Sequence, residues 1–335
     1  EDIINRLSHA IHTPDKARKL QDMLVDRITH YLHETIRKFK LEPAQIVDMV
    51  VVGNTAIHHL FCGLPVKSLG EAPYVPAIQH SFPALQHGIH IAKGAQIYLP
   101  PNIAGYVGAD HTAAVLATHI QESEQTLCLI DIGTNTEISL IHQEKIHACS
   151  CASGPAFEGA HIQDGMRAAP GAIDQVKIEN NHIGLSTIGQ KPASGICGSG
   201  ILSVMAEMRR NNIIDQRGVF NREHPLVDPK QKLLVLNRNE NGQLIKISRK
   251  DVNEVQLAKG AIRSGIEILC QKAGIEPDQI DHFLIAGAFG NYLDLASAIE
   301  IGMFPDVPLE RYTQIGNAAG AGARMLLVNH TQRKV

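Results

Sequence analysis

The sequence predicts an α/β protein made of two related lobes, and three observations support this. Amphipathic helical stretches alternate with short apolar stretches, as in sheets that are covered by helices. The order helix, strand, helix, strand, helix occurs twice along the 335 residues. Each copy carries a Glu-Pro turn, at 41–46 and at 275–280, and a glycine follows the proline at the same interval, Gly53 and Gly287. Such a duplication predicts two lobes of one architecture.

The first copy is predicted from apolar periodicity and from breaks at proline and glycine. Apolar residues recur at helical spacing up to Phe39, and Pro43 follows the end of this helix. A nearly continuous apolar run then stops at Gly53, as in a strand that is covered on both faces. The predicted elements are a helix over 15–40, a strand over 46–52, a helix through Leu60, an irregular stretch over 65–94, a strand over 96–99 and a helix over 108–118.

The second copy differs from the first in what precedes it. A strand hairpin over 127–150 comes before the second copy, whereas the chain begins where the equivalent hairpin of the first copy should already have ended. We therefore expect the chain to be a piece of a longer protein. The first lobe, 1–125, is expected to lack its N-terminal hairpin, and the second lobe, 126–335, to carry insertions at 151–198 and 213–250.

The predicted elements of the second lobe follow from the same signals. Asn180-Asn181 and Asn241-Gly242 separate pairs of apolar runs, which indicates a β-hairpin in each insertion. The later hairpin is predicted to be exposed and to carry no chemistry. In order, the lobe is predicted to contain hairpin strands over 174–178 and 182–188, a helix over 198–211, hairpin strands over 232–236 and 244–248, a helix over 252–273, a strand over 283–286, a further helix, a strand over 313–315 and a helix over 316–326.

The hairpin at 127–140 contains the strongest candidate for a functional site. An apolar strand reaches Asp131, turns through Gly133, Thr134 and Asn135, and leaves from Thr136 as an alternating strand. The amides and hydroxyls of such a turn can hold phosphate oxygens. Asp131 is placed to bind Mg²⁺ directly or through water. The alternative is an ordinary tight hairpin whose aspartate caps the turn. We refer to residues 131–136 as the phosphate loop.

Further candidates are glycine-rich segments and one carboxylate. Glycine lets the backbone approach an adenine or a phosphate closely, and a Gly-Ser-Gly helix start favours anions. Gly316, Gly320 and Ala323 would let helices cross closely at a hinge, and close helix packing with no hinge is the alternative. Glu158 is the candidate for holding metal or positioning water, and a surface or capping role is its alternative. The glycine-rich candidates for nucleotide binding are Gly198, Ser199, Gly200, Gly287, Ala288, Phe289, Gly290, Asn291, Gly316 and Asn317.

Composition disfavours several classes of function. The net charge is −3 and no basic block is present, so nucleic acid is a poor candidate partner. No apolar run approaches the roughly 18 residues that span a membrane, and no signal peptide is visible. The six cysteines are scattered, which indicates reduced thiols in a cytoplasm. Cys149 and Cys151 form the one close pair, and we interpret them as buried structural thiols rather than metal ligands.

The order of these motifs resembles the actin-like ATPase superfamily of sugar kinases, heat-shock chaperones and acetate kinases. In that superfamily two ribonuclease-H-like lobes bind nucleotide in the cleft between them. The phosphate loop resembles the second phosphate loop of the superfamily, and residues 287–290 resemble its adenosine loop. Residues 108–116 and 316–326 resemble its two connecting helices. The first phosphate loop has no counterpart in this sequence.

Several unusual strings resemble the reductive activators of corrinoid proteins more closely. They are VGNTAIHHLF (52–61), APYVP (72–76), SGPAFEG (153–159) and GICGSG (195–200). The resemblance implies an ATPase that helps to reduce cobalt(II) to cobalt(I) on a corrinoid (iron–sulfur) protein of a methyltransferase or demethylase system. It implies ATP and Mg as cofactors and leaves a homodimer open. The family's N-terminal domain carries a [2Fe–2S] cluster, which is not expected in this chain because the plant-type spacing of four cysteines is missing.

Two other functions share the predicted fold. A small-molecule kinase would need a catalytic aspartate that faces a bound hydroxyl. The sequence has no tryptophan and only 4% aromatic residues, which disfavours an aromatic-rich sugar pocket. A chaperone-like switch would bind ATP and a polypeptide without transferring electrons. Release of ADP in the presence of sugars or of a corrinoid protein distinguishes these functions.

Overall fold

The computed structural model describes residues 3–84, 88–119, 124–287, 289–290 and 293–334. The fold is mixed α/β, as the sequence predicts, and the chain divides into two compact units. The first unit comprises residues 1–123 together with 317–335, and the second comprises residues 124–316. The last segment therefore groups with the first unit by its contacts, and the assignment of 126–335 to one lobe stays a prediction. No helix among the described residues is long and apolar enough to cross a membrane.

The first unit contains a small mixed sheet and the helices that cover it. Strand β3 pairs in parallel with β1 and antiparallel with β2, so the order is β1-β3-β2. Phe61, Ile97 and Leu99 are completely buried in its core. The elements are α1 (Ile3–Ile11), α2 (Pro14–Phe39), β1 (Asp48–Val50), α3 (Thr55–Phe61), β2 (Phe82–Ala84), β3 (Gln96–Leu99), α4 (Ala109–Thr118) and, from the end of the chain, α8 (Ala318–Val328).

Helix α8 belongs to the first unit because it packs tightly on α4. A Cβ atom built on Gly322 would lie only 1.9 Å from the carbonyl oxygen of Ala113, so the two backbones are in direct contact. The end of the chain is fixed to the same unit by Arg333. Its guanidinium donates to both carboxylate oxygens of Asp48, at 3.3 and 2.6 Å, and lies 4.9 Å from the ring centroid of Tyr98. These contacts explain why residues 317–335 group with the first unit.

The second unit is built on a five-stranded sheet in the order β14-β13-β4-β5-β6. Strands β14, β13 and β4 are parallel, and β4, β5 and β6 form an antiparallel meander. The elements are β4 (Leu127–Ile132), β5 (Thr136–His142), β6 (Lys145–Cys151), β7 (Ala172–Glu179), β8 (His182–Thr187), β9 (Gly195–Ile196), α5 (Gly198–Arg210), β10 (Val227–Asp228), β11 (Leu233–Arg238), β12 (Leu244–Ser248), α6 (Arg249–Ala273), β13 (His282–Ala286), α7 (Leu295–Glu300) and β14 (Tyr312–Gly316).

The internal duplication is visible in the local structure. Glu42 and Glu276 each cap a short 3-10 turn, and in each the backbone N–H of the glutamate donates to a glutamine side chain, Gln45 at 2.7 Å and Gln279 at 2.8 Å. A strand follows both turns, β1 in the first unit and β13 in the second. Val50 and Leu284 lie in different sheets, as two separate lobes require.

Two predictions about single elements are wrong, and one element was missed. Residues 65–94 are not entirely irregular, because β2 pairs with β3 in spite of Pro83. Helix α1 was not predicted. The hairpin of the second insertion is not plainly exposed: alternate residues of β11 and β12, among them Leu234 and Ile247, are buried in the main core of the unit. Alternation along a short strand did not show which face would be covered.

Candidate functional site

The phosphate loop lies at the end of β4, where the chain turns into β5. Asp131 is the fifth residue of β4 and is half-buried. The turn is closed by a hydrogen bond of 3.1 Å from the N–H of Gly133 to the carbonyl of Asn135. Thr136 begins β5 and is fully buried, with its hydroxyl 2.8 Å from that of Ser153. The loop is therefore held on one side by the segment that follows β6.

Glu158 lies beside this loop. Its Oε1 atom accepts a hydrogen bond of 2.6 Å from the hydroxyl of Thr134. Glu158 ends a short 3-10 helix, Ala156–Glu158, which Gly159 terminates in a left-handed conformation. The carboxylate is exposed, so it remains in contact with solvent at the mouth of the loop. The sequence-based prediction named both residues, and the structure brings them together.

Gly287 follows β13, the parallel neighbour of β4, and Gly316 ends β14, the next strand beyond β13. The N–H of Gly287 donates to the carbonyl of Gly316 at 3.0 Å. Gly287 has a φ of 95°, and a Cβ atom there would lie 2.3 Å from the carbonyl oxygen of Ile132 and 3.0 Å from Oδ1 of Asp131. Only glycine fits this position without strain. Three parallel strands therefore end at one edge of the sheet, around Asp131.

Phe289 connects the loop after β13 to two other segments. Its ring stacks on that of Phe157, with centroids 5.4 Å apart and planes inclined by 13°. A Cβ atom on Gly198 would lie 2.7 Å from the Phe289 ring and 1.8 Å from the carbonyl oxygen of Phe157. Helix α5 therefore begins against the phenylalanine pair. Gly290 is held by Gln314, whose side-chain amide donates to its carbonyl oxygen at 2.5 Å.

Helix α5 begins with the predicted anion site, Gly198-Ser199-Gly200. The preceding Cys197 adopts an extended conformation, and its side chain does not cap the first turn of the helix. Its Sγ atom instead lies 3.3 Å from the carbonyl oxygen of Ile173, to which it donates. The amides of the first helical turn are thus not satisfied by this side chain, and such amides are suited to negative charge.

Three other predicted site residues remain to be placed. Asn317 groups with the first unit, where its side-chain oxygen accepts a hydrogen bond of 2.8 Å from the N–H of Gly320 and caps α8. Ala288 and Asn291 lie outside the described residues. Among the residues that the structure describes, no group of three or more His, Cys, Asp or Glu side chains could hold a metal ion. Asp131 and Glu158 therefore do not belong to a preformed metal cage of three or more such side chains in the described part of the chain.

Three residues that shape this region were not predicted from the sequence to have a role in the site. Ser153 contacts the buried Thr136, Phe157 stacks on Phe289, and Gln314 holds the segment after Gly287 through Gly290. Ser153 and Phe157 lie within residues 153–159, one of the four strings that resemble the reductive activators of corrinoid proteins. Gln314 gave no signal, because a polar residue in a short strand is unremarkable without its partners.

The comparisons with known proteins cover the whole chain. A family model described as the C-terminal domain of RACo, the ASKHA domain, matches residues 125–335, and a second, the RACo middle region, matches residues 1–123. The corrinoid activation enzyme RamQ of Eubacterium limosum is 34% identical over 344 residues, which cover 98% of this chain and 58% of that protein. A reductase of Methanosarcina barkeri, named for a Co(II) methylated amine-specific corrinoid protein, is 28% identical over 89% of this chain and 59% of its own length.

A solved structure is similar throughout the chain. The reductive activator for corrinoid, iron-sulfur protein superimposes with a TM-score of 0.85 at 32% identity, over 99% of this chain and 55% of that one. The chain thus spans somewhat more than half the length of the proteins to which it is similar.

Proposed function

The chain belongs to the RACo family, and on that premise we propose that it acts in the ATP-dependent reductive activation of a corrinoid protein. Residues 125–335 match the ASKHA domain, an actin-like ATPase fold whose presence implies nucleotide binding. In this proposal the chain binds and hydrolyses ATP and binds the corrinoid partner. A separate iron–sulfur donor supplies the electron that converts cobalt(II) to cobalt(I). The names of the similar proteins support this assignment.

The observation that carries the proposal is the convergence of four sequence-distant segments in the second unit. Thr134 of the phosphate loop is hydrogen-bonded to Glu158, and the N–H of Gly287 donates to the carbonyl of Gly316. Gly287 also lies so close to Asp131 that a Cβ atom built on it would be 3.0 Å from Oδ1. Hydroxyls, backbone amides and carboxylates are thereby placed around one edge of the sheet. This is the donor set that a polyphosphate and its metal require.

We assign separate tasks to these residues. Thr134, Asn135 and Thr136 contact phosphate oxygens, and Gly287, Phe289 and Gly290 contact the adenosine. Glu158 positions the attacking water, because its exposed carboxylate already lies beside the loop, 2.6 Å from the hydroxyl of Thr134. When ATP binds, the single O–H of Thr134 turns from Glu158 to a phosphate oxygen. The start of α5, residues 198–200, is assigned to further phosphate contact. Because Thr136 is buried, we assign the phosphate contact to its backbone amide rather than to its hydroxyl.

Mg²⁺ fits this site as an ion shared with the nucleotide. Magnesium usually binds one or two protein carboxylates together with water and phosphate oxygens, so a cage of three protein ligands is not required. Asp131 ends a strand at the loop and is the carboxylate that we assign to it, directly or through water. When bound, the ion neutralises the charge that develops on the phosphates.

Coupling to cobalt requires unequal affinities. A ligand shifts an equilibrium only when it binds the two states differently, so ATP must change the affinity of the chain for one cobalt state of the partner. Reduction to cobalt(I) is uphill while the metal keeps a lower axial ligand. We propose that the bound activator withdraws this ligand and thereby raises the potential of the cobalt, which is the substrate of the reaction.

The partner in this proposal is a corrinoid protein of a methyltransferase or demethylase system in the cytoplasm. The cytoplasmic location is proposed from the scattered cysteines of the sequence. Measuring the mass of the chain in solution will test whether it forms a homodimer.

The proposal is tested by ADP release and by partner affinity. ADP release should increase with the corrinoid protein and not with sugars, which separates the activator from a kinase. The affinity for the partner is measured with ATP, with ADP and without nucleotide, for the cobalt(II) and cobalt(I) forms separately. We expect ATP to change the ratio of the two affinities. Equal affinities in every condition would contradict coupling.

A further inference from the structure

Two cysteines lie side by side on the outer strand of the five-stranded sheet. Cys149 and Cys151 are separated by one residue on β6, so their side chains share a face of the sheet. Their Sγ atoms are 4.0 Å apart. Cys151 is buried, with 8% exposure, whereas Cys149 is only half-buried and gives access from solvent.

Helix α6 covers this pair with a glycine. A Cβ atom built on Gly265 would lie 2.4 Å from Sγ of Cys151 and 3.4 Å from Sγ of Cys149. The carbonyl oxygen of Gly265 lies 3.9 Å from Sγ of Cys149, which donates to it. The two sulfurs therefore face the backbone of α6. Because Gly265 has no side chain, the sulfurs occupy the space between the sheet and the helix at this point.

The strand geometry disfavours a disulfide between these residues. The Cβ atoms of alternate residues in a strand are about 6.6 Å apart, whereas the two Cβ atoms of a disulfide are about 3.8 Å apart. Closing the bond would shorten β6, which pairs with β5 from Lys145 to Cys151. A bridging atom requires no such change. Two bonds of about 2.3 Å, the length of a zinc–thiolate bond, can span sulfurs up to about 4.6 Å apart.

We propose that Cys149 and Cys151 form a binding site for one soft, thiophilic centre that bridges the two sulfurs. Thiolates select soft ions such as Cu(I), and trivalent arsenicals share this chemistry. With phenylarsine oxide, two As–S bonds form, and the oxide oxygen leaves as water with the two thiol protons. The oxidation state of arsenic does not change. The protein supplies two donors, in keeping with the finding that no group of three or more potential ligands exists among the described residues.

The other cysteines do not offer such a pair. Cys128 and Cys270 are almost completely buried, at 1% exposure each. Cys197 is equally buried, and its thiol is bonded to the carbonyl of Ile173. Cys62 is half-buried like Cys149, but it lies in the first unit. It is therefore the matched control for a single, partly accessible thiol.

The test uses the reduced, nucleotide-free chain under anaerobic conditions with two probes. Phenylarsine oxide binding is followed by intact mass, and Cu(I) binding by competition with a coloured Cu(I) chelator. We expect one equivalent bound to the wild-type chain. Cys149→Ser and Cys151→Ser should each weaken binding by at least about 100-fold, because a chelate loses its second attachment. Cys62→Ser should bind like the wild type.

Mapping of the arsenical adduct on the wild-type chain gives a second readout that does not depend on how the variants fold. We expect both sulfurs of the 145–151 strand to carry the bridge. Tight binding of either probe that depends on both cysteines supports the site. The probe that binds shows whether the site takes Cu(I) or a trivalent arsenical. Failure of both probes, binding that survives either substitution, or an adduct mapped to Cys62 would overturn it.

Discussion

The hydroxyl of Thr134 donates a hydrogen bond of 2.6 Å to Oε1 of Glu158, which joins two residues 24 positions apart in the sequence. Thr134 lies in the phosphate loop, and Glu158 lies in the segment that follows β6. Because Glu158 is exposed, this contact contributes little to stability. Its consequence is geometric: the carboxylate is oriented toward the loop before any ligand binds.

Glu158→Gln is expected to lower ATP turnover more than ATP affinity. The amide keeps the size of the side chain but cannot accept a proton from water. We expect turnover to fall by about 100-fold, the scale of a lost general base, with ATP affinity within a few fold of wild type. ADP release and equilibrium ATP binding are measured together, and Glu179→Gln, an exposed glutamate on β7, is the control. A parallel loss of affinity and turnover would assign Glu158 to binding instead.

Asp131→Asn is expected to uncouple ATP binding from Mg²⁺. The substitution preserves volume, so the fold should persist, but the carboxylate for the ion is lost. We expect ATP turnover to fall roughly tenfold or more. Titrations of ATP with and without a Mg²⁺ chelator provide the sharper readout, because the wild type should lose affinity on chelation and the variant should change little. Unchanged turnover in the variant would remove Asp131 from the mechanism.

The buried His58 predicts acid sensitivity of the first unit. Burial lowers the pKa of His58 to about 4, so the unfolded chain, with a histidine pKa near 6.5, binds the proton more readily. The free energy of unfolding is therefore retained above pH 6.5 and falls as the pH drops from 6.5 toward 4, by up to about 3 kcal/mol.

Urea unfolding at several pH values measures this loss. His58→Gln should flatten the slope of unfolding free energy against pH by about one proton. His33→Gln, which changes an exposed histidine on α2, is the control substitution. Burial also lowers the pKa of His111 to about 4, so part of the slope should remain in the His58 variant. Identical slopes in the wild type and His58→Gln would contradict the assignment.

Arg333→Lys is expected to destabilise the first unit. The Arg333 side chain is only 8% exposed, and its planar fork binds Asp48 while it stacks on Tyr98. Lysine keeps the charge but not the two-pronged contact or the stacking. We expect the free energy of unfolding to fall by about 2 kcal/mol in urea titrations. Arg324→Lys, an exposed site on α8, should change it by less than about 0.5 kcal/mol. Equal effects at both sites would show that the Asp48 contact is not the cause.

The fold was predictable where local signals repeat. The two Glu-Pro turns, the long helices and the hairpin at 127–140 follow from turn chemistry and apolar periodicity within a few residues. Strand β2 escaped prediction because it is short and contains Pro83, and such strands depend on a neighbour for their definition. The grouping of α8 with the first unit depends on its close contact with Ala113, which small residues alone do not specify.

The candidate site was predictable as a list of segments but not as a geometry. Glycines and hydroxyl-bearing turns are visible in one sequence, so the phosphate loop and the Gly287 segment could be named. The contacts of Thr134 with Glu158 and of Phe157 with Phe289 join distant segments, and no local pattern encodes them. Asn317 was assigned to nucleotide binding with Gly316 at the start of the predicted helix over 316–326, and its capping bond to Gly320 is a further contact that the sequence did not specify.

The central claim, that the phosphate loop of the second unit binds ATP, is tested most directly by equilibrium titration of the chain with Mg-ATP. The wild type should bind ATP, and Thr134→Val should bind it about tenfold more weakly, since a hydrogen bond to a charged group contributes about 1.5 kcal/mol. Thr134→Ser, which keeps the hydroxyl, and Thr35→Val on α2 should bind like the wild type. Absence of ATP binding by the wild type, or equal affinity in Thr134→Val, would contradict the account.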